Sequence, residues 1–504
     1  MSAPLDPAEV RRLAARILAT GPDRDVIGPA TGEPIARLPT SSRADVAEAF
    51  RRARVAAPAW AATPPNERAA VLHRFGGLVL DRRDELVALM AAESGKTRRD
   101  AVEELADVVL TARYLARTGP SVLAPRRRRG AFPGWPSVRV AAEPLGVVGV
   151  VSPWNYPLTL AVSDGLAAVV AGNAVVAAPD GSVPLIAARA AEMLASAGVP
   201  EGVWNVVCGD GTMLGPELIA QADGISFTGS TRVGRSVAMA CADRLIPAVL
   251  ELGGKNAVVV TDDVELDAAI EVTLRTCFAN AGQLCMSAER VYVLEPIAQR
   301  FAETLAAGAA GMTLAPLHDT RSVERVLHHV EDAVGRGARV LAGGRPRPDL
   351  GPFAVEPTVL VDVPDDAACV RAESFGPVVV VRPVADVDEA VDRVNDSEFG
   401  LHHVVLSGDP GAGLAIADRL HAGSVSVNDG YALSWGSTDA PLGGWGRSGI
   451  GHRHGREGIL GWTRSRAVAT GRPPFSLAAP AMGEKRFERV LVAGLRGLGA
   501  LGRR

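Results

Sequence analysis

The chain has 504 residues, of which 47% are hydrophobic and 22% are charged, and its net charge is −4. This length and composition predict a soluble globular protein with two or more domains and substantial cores. The small negative charge excludes a field that would concentrate nucleic acid or a membrane surface. We therefore expect small molecules and other subunits as partners, and no nucleic acid.

The spacing of the cysteines and the residues near the start of the sequence favour a cellular compartment with a reducing environment. The five cysteines are widely spaced and include no CxxC pair, which argues for a reducing environment and against a disulfide framework or a zinc site. Asp6 and Glu9 precede any apolar run, which argues against a secretory signal. The longest apolar stretch, residues 158–178, is interrupted by polar residues and glycines, so we expect no integral membrane segment. The expected location is cytoplasmic.

The first part of the chain predicts helices. Residues from about 7 to 120 favour long helices, such as Arg43–Trp60 and Asn66–Ala92, and we expect these helices to cover the rest of the fold. The run Arg126–Arg129 is followed by prolines and a glycine and has no helical period. We interpret it as a solvated hairpin or linker, in preference to a nucleic-acid patch.

From Leu145 onward, short β-branched runs alternate with helical windows. The predicted strands are Val147–Ser152, Ala174–Ala178, Trp204–Cys208, Ile225–Thr228 and Ala248–Leu250. The predicted helices are Thr159–Val170, Pro184–Ala197, Met213–Gln221 and Arg232–Ala242. This alternation predicts a parallel sheet with right-handed crossovers, helices on both faces and a ligand at the carboxyl ends of the strands.

A second alternating series follows and predicts a second α/β domain. It begins with a strand at Asn256–Thr261 and a helix over Asp267–Ala279, and it resumes with a strand at Arg290–Leu294 and extends to about residue 440. The tail Lys485–Arg504 is basic and amphipathic. We interpret the tail as a stretch that packs against the body or a sister subunit, with a membrane-surface helix as the alternative.

Cys285 is the candidate nucleophile. It ends a Gly/Gln-rich run that begins at Asn280, and the run Glu251–Lys255 lies upstream. A thiol in such a loop, with a carboxylate able to fold over it, suits covalent attack on a carbonyl followed by hydrolysis of the adduct.

Two further motifs suggest binding groups. The run Ser226–Gly234 places a Gly-Ser-Thr turn between a predicted strand and a helix, where free N–H groups suit a pyrophosphate, although such turns are also common helix caps. Asn155 lies between Pro153 and Pro157, and an amide held rigidly there suits stabilisation of an oxyanion. The alternative for Asn155 is a plain turn residue.

These motifs stand in the order and rough spacing of the aldehyde dehydrogenase superfamily, which the chain resembles over residues of about 30 to 470. The motifs are Pro153–Pro157, Phe227–Gly234, Glu251–Lys255, Gly282–Cys285, Glu373–Pro377 and Pro441–Gly444. Further runs resemble the actinobacterial group of NADP-dependent succinate-semialdehyde dehydrogenases. Those runs are Ser152–Pro157, Val162–Asp164, Gly430–Ala432, Trp435–Ser437 and Arg453–Gly455.

The resemblance implies an enzyme that oxidises an aldehyde to a carboxylic acid with NADP or NAD, with succinate semialdehyde as a candidate substrate. Cys285 is similar to the family nucleophile, so a lowered thiol pKa is expected. The amide of Asn155 and the Cys285 backbone N–H would hold the oxyanion of the thiohemiacetal. Glu251 is similar to the general base that releases the acid from the thioester, and its presence favours hydrolysis over transfer to coenzyme A.

The same resemblance implies the cofactor site. Glu373 would hold the nicotinamide ribose, Phe375 would pack on the cofactor, Ser230 would bind pyrophosphate and Trp154 would line the cleft. The other implied cofactor residues are Ser152, Ala178, Gly229, Val233 and Leu252.

The chain departs from the family at the adenosine ribose. The family usually has lysine in place of Ala178, and many NAD-dependent members have an acidic residue in place of Gly181. Loss of the lysine removes an attraction to the 2′-phosphate of NADP worth roughly 0.5–1.5 kcal/mol, whereas loss of the acid removes a repulsion. NADP and NAD therefore both stay open as cofactors.

Ala178 also motivates an alternative, a cofactor-impaired family member that serves as a non-redox binding or structural protein. A third hypothesis is an esterase that uses only Cys285 and Glu251. The pair His402-His403 and the run His452–His454 have no acidic or cysteine partners at ligand spacing, so we expect surface or packing histidines and no metal.

The family fold implies an α/β architecture with a Rossmann-type dinucleotide domain, a second α/β catalytic domain and a β-arm for oligomerisation. The implied boundaries are 1–122 and 145–253 for the dinucleotide domain, 254–452 for the catalytic domain, 123–144 and 453–470 for the arm, and 471–504 for the amphipathic tail. The arm from Pro125 to Val140 would join a strand near Ala467–Thr470 in subunit exchange, so we expect a homodimer or homotetramer.

Overall fold

The structure is a computed structural model that describes residues 5–130, 136–471 and 483–500. It divides into two compact units. The larger unit contains the chain up to Val122 together with Pro144–Thr463, and the smaller unit contains Leu123–Glu143 together with the residues from Arg464 onward.

The N-terminal part of the larger unit combines helices with one β-hairpin. Its elements are α1 (Pro7–Ala14), β1 (Asp23–Gly28), β2 (Glu33–Pro39), α2 (Arg43–Ala62), α3 (Pro65–Asp81), α4 (Arg83–Ser94) and α5 (Arg98–Leu123). The antiparallel pair β1–β2 was not predicted, because most residues of these strands are exposed or polar and show no apolar alternation. The helix predicted over Asn66–Ala92 is two helices, since the backbone at Arg82 leaves the helical region.

The arginine-rich run forms part of a small antiparallel sheet in the smaller unit. β3 (Arg126–Arg128) pairs with β4 (Ser137–Pro144), with Arg126 opposite Val140, and β4 also pairs with the later strand Thr463–Thr470. The hairpin interpretation is confirmed. Pairing occurs here within one chain, and exchange between subunits stays a prediction.

The first large sheet is built from the predicted alternation. Its strands are β5 (Val147–Ser152), β6 (Ala174–Pro179), β7 (Trp204–Val206), β8 (Gly224–Thr228) and β9 (Ala248–Glu251). Its helices are α6 (Thr159–Ala171), α7 (Pro184–Ala197), α8 (Gly211–Gln221) and α9 (Thr231–Asp243). These five strands lie in the order β9-β8-β5-β6-β7, with every neighbouring pair parallel, and the short later strand Gly449–Ile450 pairs antiparallel with β9 as a sixth, edge strand. Because the order reverses at β5, a cleft is expected at the carboxyl ends of β5 and β8.

The second large sheet follows in the chain. Its strands are β10 (Asn256–Val260), β11 (Ala288–Leu294), β12 (Arg339–Ala342), β13 (Thr358–Val361), β14 (Val378–Val384), β16 (His402–Leu406) and β17 (Ser424–Val427). The two-residue strand β15 (Phe399–Gly400) precedes β16 and belongs to a separate small sheet. The helices are α10 (Leu266–Phe278), α11 (Glu295–Ala310), α12 (Thr320–Gly335), α13 (Ala368–Arg371), α14 (Val387–Asn395), α15 (Pro410–Ala417) and α16 (Tyr431–Trp435). The sheet order is β12-β13-β14-β11-β10-β16-β17, and only its edge pair β12–β13 is antiparallel among the pairs described.

The last elements close the larger unit and complete the smaller one. They are β18 (Trp445–Gly446), β19 (Gly449–Ile450), α17 (Gly455–Leu460), β20 (Thr463–Thr470) and α18 (Glu484–Ala500). In α18, Val490 and Leu495 are 57% and 55% exposed, so a partner for this amphipathic helix stays a prediction. None of the described helices is both long enough and apolar enough to cross a membrane.

The central strands form because their sequences are apolar on both faces. β6 and β10 are buried along their whole length, as parallel strands covered by helices on both sides must be. Each fully buried valine in such a strand contributes roughly 1.5–3 kcal/mol of hydrophobic free energy. The strands are therefore rigid, and the loops at their carboxyl ends are held in fixed positions.

Glu93 provides a test of this packing. Its buried carboxylate on α4 accepts hydrogen bonds from the backbone N–H groups of Leu185 (2.7 Å) and Ile186 (2.8 Å), in the first turn of α7. These donors have no partner inside the helix, and α7 has no side-chain cap of its own. We predict that Glu93→Ala lowers the free energy of unfolding by about 1–3 kcal/mol. Glu93→Gln keeps one acceptor oxygen and should lose less. Urea denaturation followed by circular dichroism measures both variants, and equal stability of Glu93→Ala and wild type would contradict this role.

Candidate active site

A cavity of about 430 Å³ opens at the carboxyl ends of β5, β8 and β9. Its other walls come from the loop after α10, the first turns of α12 and the segment before β14. The residues predicted from the sequence that line it are Trp154, Asn155, Gly229, Ser230, Glu251, Leu252, Cys285, Glu373 and Phe375. The structure therefore brings the three predicted catalytic residues to one cavity.

The loop that carries Cys285 leaves α10 through an unusual backbone. Asn280, Ala281 and Gly282 have φ values of 49°, 57° and 71°, in the left-handed region. This conformation costs roughly 1–2 kcal/mol at each residue other than glycine, so surrounding contacts must hold it. The side-chain amide of Gln283 donates to the carbonyl oxygen of Asn280 (3.1 Å) and supplies one such contact. Gly282 is required, because a Cβ there would collide with the backbone of the facing loop.

Asn155 is tied directly to this loop. Its side-chain amide donates to the carbonyl oxygen of Gln283 (2.9 Å), and its own carbonyl oxygen accepts from Lys96 Nζ (2.8 Å) and from the amide of Asn280 (3.1 Å). An amide nitrogen carries two hydrogens, so one N–H of Asn155 remains for a ligand in the cavity. This geometry suits an oxyanion donor beside Cys285.

Glu251 ends β9 with its side chain buried. Its Oε1 atom has no hydrogen-bond partner among the described residues. Burial raises the pKa of Glu251 to about 8, with Arg453 opposing the rise and Asp164 adding to it. A carboxyl with a free oxygen and a pKa close to neutrality suits proton transfer.

The Cys285 thiol departs from expectation. Burial raises the pKa of Cys285 to about 12, Glu251 and Glu373 add to the rise, and Arg453 opposes it. The predicted lowering of this pKa is wrong for this structure, because burial disfavours the thiolate and two nearby carboxyl groups add to the effect. The resting nucleophile is therefore a thiol that needs a base.

Glu373 is fixed by the glycines that follow Glu251. Its Oε1 atom accepts a hydrogen bond from the Gly254 backbone N–H (2.9 Å), and a Cβ on Gly253 would collide with its carboxylate. Burial raises the pKa of Glu373 to about 7, and Glu289 adds to the rise.

Two aromatic side chains, Trp154 and Phe375, line one wall of the cavity, and His318 packs against Trp154. The Trp154 and His318 rings stack with centroids 4.0 Å apart and planes 7° apart, and the Phe375 ring meets Trp154 edge-on at 5.8 Å. Phe375 has a left-handed backbone (φ 47°), held in part by a hydrogen bond from its N–H to the Glu289 carboxylate (2.9 Å). His318 was not predicted, since nothing local in the sequence marks it.

Three predicted cofactor residues, Ser152, Ala178 and Val233, do not line this cavity in the described part of the chain. Ser152 and Ala178 are buried within β5 and β6, and Val233 lies in the first turn of α9, where its N–H donates to Ser230 Oγ (3.4 Å). Ser230 thus caps the N-terminus of α9, as the helix-cap interpretation of the Gly-Ser-Thr turn predicts. Their roles toward a cofactor stay predictions.

A buried ion pair between Arg453 and Asp164 lies next to Glu251. The sequence indicated these two residues only as members of runs that resemble the family. Arg453 Nη2 lies 2.8 Å from Asp164 Oδ1, both side chains are buried, and Ser226 Oγ donates to Asp164 Oδ2 (2.8 Å). Arg453 also lies over the Trp435 ring, 5.3 Å from its centroid. Burial is the largest influence on the pKa of Glu251 and of Cys285, Arg453 opposes the rise at both, and Asp164 adds to the rise at Glu251. Other lining residues without a sequence prediction are Asp319, Arg321, Ser322 and Arg325.

The residues present fit a dinucleotide. Glycines stand at the ends of β8 and β9, where a Cβ on Gly229 would lie 2.7 Å from Phe227 Cζ and a Cβ on Gly253 would meet Glu373. The N-terminus of α9 begins beside Gly229, so backbone N–H groups are available for a phosphate. Close approach of a ligand to bare backbone at these strand ends is what pyrophosphate binding needs.

The histidine pair is structural. On β16, His402 Nδ1 lies 2.9 Å from Ser424 Oγ, and His403 Nδ1 accepts from the Ala257 backbone N–H (3.1 Å). Within residues 5–130, 136–471 and 483–500, no three His, Cys, Asp or Glu side chains form a group that could hold a metal ion.

The chain is similar in sequence and in structure to known proteins. The model of the aldehyde dehydrogenase family matches residues 19–468. A Mycobacterium tuberculosis protein named "putative succinate-semialdehyde dehydrogenase (NADP+) 2" is 43% identical over 486 residues, covering 93% of this chain and 94% of that protein. The crystal structure of an NADP dependent enzyme from E. coli is 32% identical, with a TM-score of 0.86 over 90% of this chain and 95% of that chain. Betaine aldehyde dehydrogenase from Staphylococcus aureus in complex with NAD+ is 27% identical, with a TM-score of 0.87 over 94% of this chain and 98% of that chain.

The thiol pKa predicts the chemistry of the free protein. Iodoacetamide should alkylate Cys285 slowly at pH 7 and faster as the pH rises toward 10, without a plateau, because the thiolate is scarce. Glu251→Gln removes a negative neighbour and should raise the alkylation rate at pH 9 by roughly three- to tenfold. Peptide mapping identifies the modified cysteine, and Cys285→Ala is the control. Slower alkylation in Glu251→Gln would contradict the electrostatic origin of the raised pKa.

Proposed function

This chain belongs to the aldehyde dehydrogenase family, and on that premise we propose that it oxidises succinate semialdehyde to succinate with NADP as the coenzyme. The observation that carries the proposal is the convergence of Cys285, Glu251 and Asn155 on one cavity beside a dinucleotide-type strand edge. The name of the M. tuberculosis relative supports the substrate and the coenzyme.

Attack on the aldehyde begins with proton transfer. Because burial raises the pKa of the Cys285 thiol, we assign its deprotonation to the ionised fraction of Glu251, which grows as the pH rises toward 8 and whose Oε1 has no other partner in the described part of the chain. The sulfur then bonds to the carbonyl carbon to give a thiohemiacetal. The second N–H of Asn155 and the Cys285 backbone N–H donate to the oxygen as it gains negative charge.

Oxidation and hydrolysis follow at the same sulfur. Ser230, Glu373 and the bare backbone of Gly229 would hold NADP, which would supply the hydride acceptor. Loss of hydride from the thiohemiacetal carbon leaves a thioester on Cys285. Glu251, once it has released its first proton to solvent, takes a proton from water, and the hydroxyl attacks the thioester. The acid leaves, and Cys285 regains its proton.

We also propose that the arm, residues 123–144 and 453–470, joins subunits into a dimer or tetramer, with 1–122 and 145–253 forming the dinucleotide domain and 254–452 the catalytic domain. The support is β20, which is exposed along nearly its whole length. An exposed edge strand invites pairing with another chain. Gel filtration with light scattering measures the assembly, and a monomer at working concentration would overturn this proposal.

Turnover tests the catalytic assignment. With succinate semialdehyde and NADP+, Cys285→Ala should form no NADPH beyond background, since the covalent step is lost. Glu251→Gln should lose at least about a hundredfold in steady-state rate, because both proton transfers use this group. Cys241→Ala, a buried cysteine on α9 outside the cavity, is the matched control. Full turnover in Cys285→Ala would overturn the function, and ester hydrolysis by wild type without coenzyme as its only activity would favour the esterase hypothesis.

The raised pKa of Glu251 predicts a pH profile. The carboxylate form that deprotonates water accumulates only as the pH rises through about 8, so the rate at saturating aldehyde should increase from pH 7 to 9 and then level off. Asp164→Asn removes a negative charge that raises this pKa, so the midpoint should move to lower pH. A rate that is flat between pH 7 and 9 in wild type would contradict the role of Glu251.

A further inference from the structure

The adenosine end of the cofactor site lacks its usual charges. In a dinucleotide-binding sheet, the carboxyl end of the second strand faces the adenosine ribose, where an acidic residue binds the 2′-hydroxyl or an arginine binds a 2′-phosphate. In this fold β6 is that strand, and Ala178 and Gly181 stand at its end without charged side chains. Asp180, which follows the strand, accepts hydrogen bonds from Ser182 and carries a negative charge, so a positive charge that binds a 2′-phosphate must come from another element.

The hairpin β1–β2 brings a guanidinium to this position. A Cβ on Gly181 would lie 3.0 Å from Arg24 Nη1 and 2.9 Å from the Gly209 carbonyl oxygen, so the arginine side chain lies directly against Gly181. Asp180 and Gly209 form a parallel bridge that joins the ends of β6 and β7 at the same place. A carboxylate side chain at position 181 would occupy the space that Arg24 uses.

The hairpin is fixed to the sheet by hydrogen bonds. The Ser41 backbone N–H donates to the Cys208 carbonyl oxygen (2.7 Å), and the Cys208 N–H donates to Ser41 Oγ (2.8 Å). Gly21 and Thr40, at the open end of the hairpin, also pair through their backbones (2.8 Å). These hydrogen bonds hold the hairpin, and with it Arg24, next to the carboxyl ends of β6 and β7.

The charge of Arg24 is available to a ligand. Its side chain is exposed, and no carboxylate in the described part of the chain lies within ion-pairing distance of it. The nearby acids are engaged in their own turns: Asp180 Oδ1 accepts from the N–H and hydroxyl of Ser182 (2.9 and 2.6 Å), and Asp210 Oδ1 accepts from the N–H and hydroxyl of Thr212 (both 2.8 Å).

Resting on the proposed function, we propose that Arg24 binds the 2′-phosphate of NADP and makes NADP the preferred coenzyme. The guanidinium fork matches a phosphate through two parallel hydrogen bonds, which a single lysine amine at position 178 would not provide. Gly181 serves this arrangement by leaving room for the arginine and by placing no negative charge beside the phosphate. The departure at Ala178 is then compensated by a residue remote in the sequence.

Direct binding to the full chain tests the proposal without turnover. Isothermal titration should show that Arg24→Gln weakens NADP+ and adenosine 2′,5′-bisphosphate by about ten- to a hundredfold, and leaves NAD+ and AMP within about twofold. Arg24→Lys should recover part of the loss, because it restores the charge without the fork. The ratio of kcat/KM for NADP+ to that for NAD+ should fall by a similar factor in Arg24→Gln.

Arg37→Ala is the matched control. Arg37 lies on the same hairpin opposite Asp25, whereas Arg24 lies opposite Leu38, so the two arginines project from opposite faces. Arg37→Ala should leave the binding of both coenzymes unchanged. Unchanged NADP+ binding in Arg24→Gln would overturn this inference alone. A wild-type preference for NAD+ would overturn this inference and the coenzyme of the proposed function, but not the oxidation of the aldehyde. Absence of both dinucleotide binding and turnover in wild type would overturn the proposed function itself.

Discussion

The site depends on the hydrogen bond from the Asn155 amide to the Gln283 carbonyl oxygen. Asn155 follows a strand of the first sheet, whereas Gln283 belongs to the loop that leads from the second sheet to Cys285, so this bond fixes the nucleophile relative to the cofactor side. Lys96 also holds Asn155 in place, because its amine donates to the Asn155 carbonyl oxygen. Lys96 in turn forms an ion pair with Glu104 at 3.0 Å, and the side chains of Lys96 and Glu104 are fully buried. Few arrangements of the loop satisfy all these buried groups at once.

Electrostatics then determines how the site rests and reacts. Burial raises the pKa of Cys285, of Glu251 and of Glu373. Glu251 and Glu373 raise the pKa of Cys285 further, whereas Arg453 opposes the rise at Cys285 and at Glu251. The thiol and Glu251 are therefore both mostly protonated near neutrality. Because the thiolate is the reactive form, attack by Cys285 requires a proton transfer first.

The sequence predicted the parts of this structure that depend on local pattern. The strands of the first sheet lie within about two residues of their predicted ends, because buried parallel strands are continuous apolar runs. The catalytic residues stood in short motifs with distinctive glycines. The hairpin β1–β2 was missed because its exposed strands carry no such pattern, and Arg24 and His318 were missed with it because only tertiary contacts place them. The thiol pKa was predicted in the wrong direction, because burial of Cys285, which only the folded chain creates, disfavours the thiolate, and Glu251 and Glu373 add to that effect.

The central claim is that the substrate becomes covalently bound to one sulfur and is released by one carboxylate. The most direct measurement is intact-protein mass spectrometry with peptide mapping of Glu251→Gln after brief mixing with succinate semialdehyde and NADP+. At pH 9, where part of the Cys285 thiol ionises without a base in this variant, we expect a succinyl group on Cys285 that persists in Glu251→Gln and is absent from wild type under the same quench. NADPH formation without an adduct on Cys285, or an adduct on another residue, would contradict it.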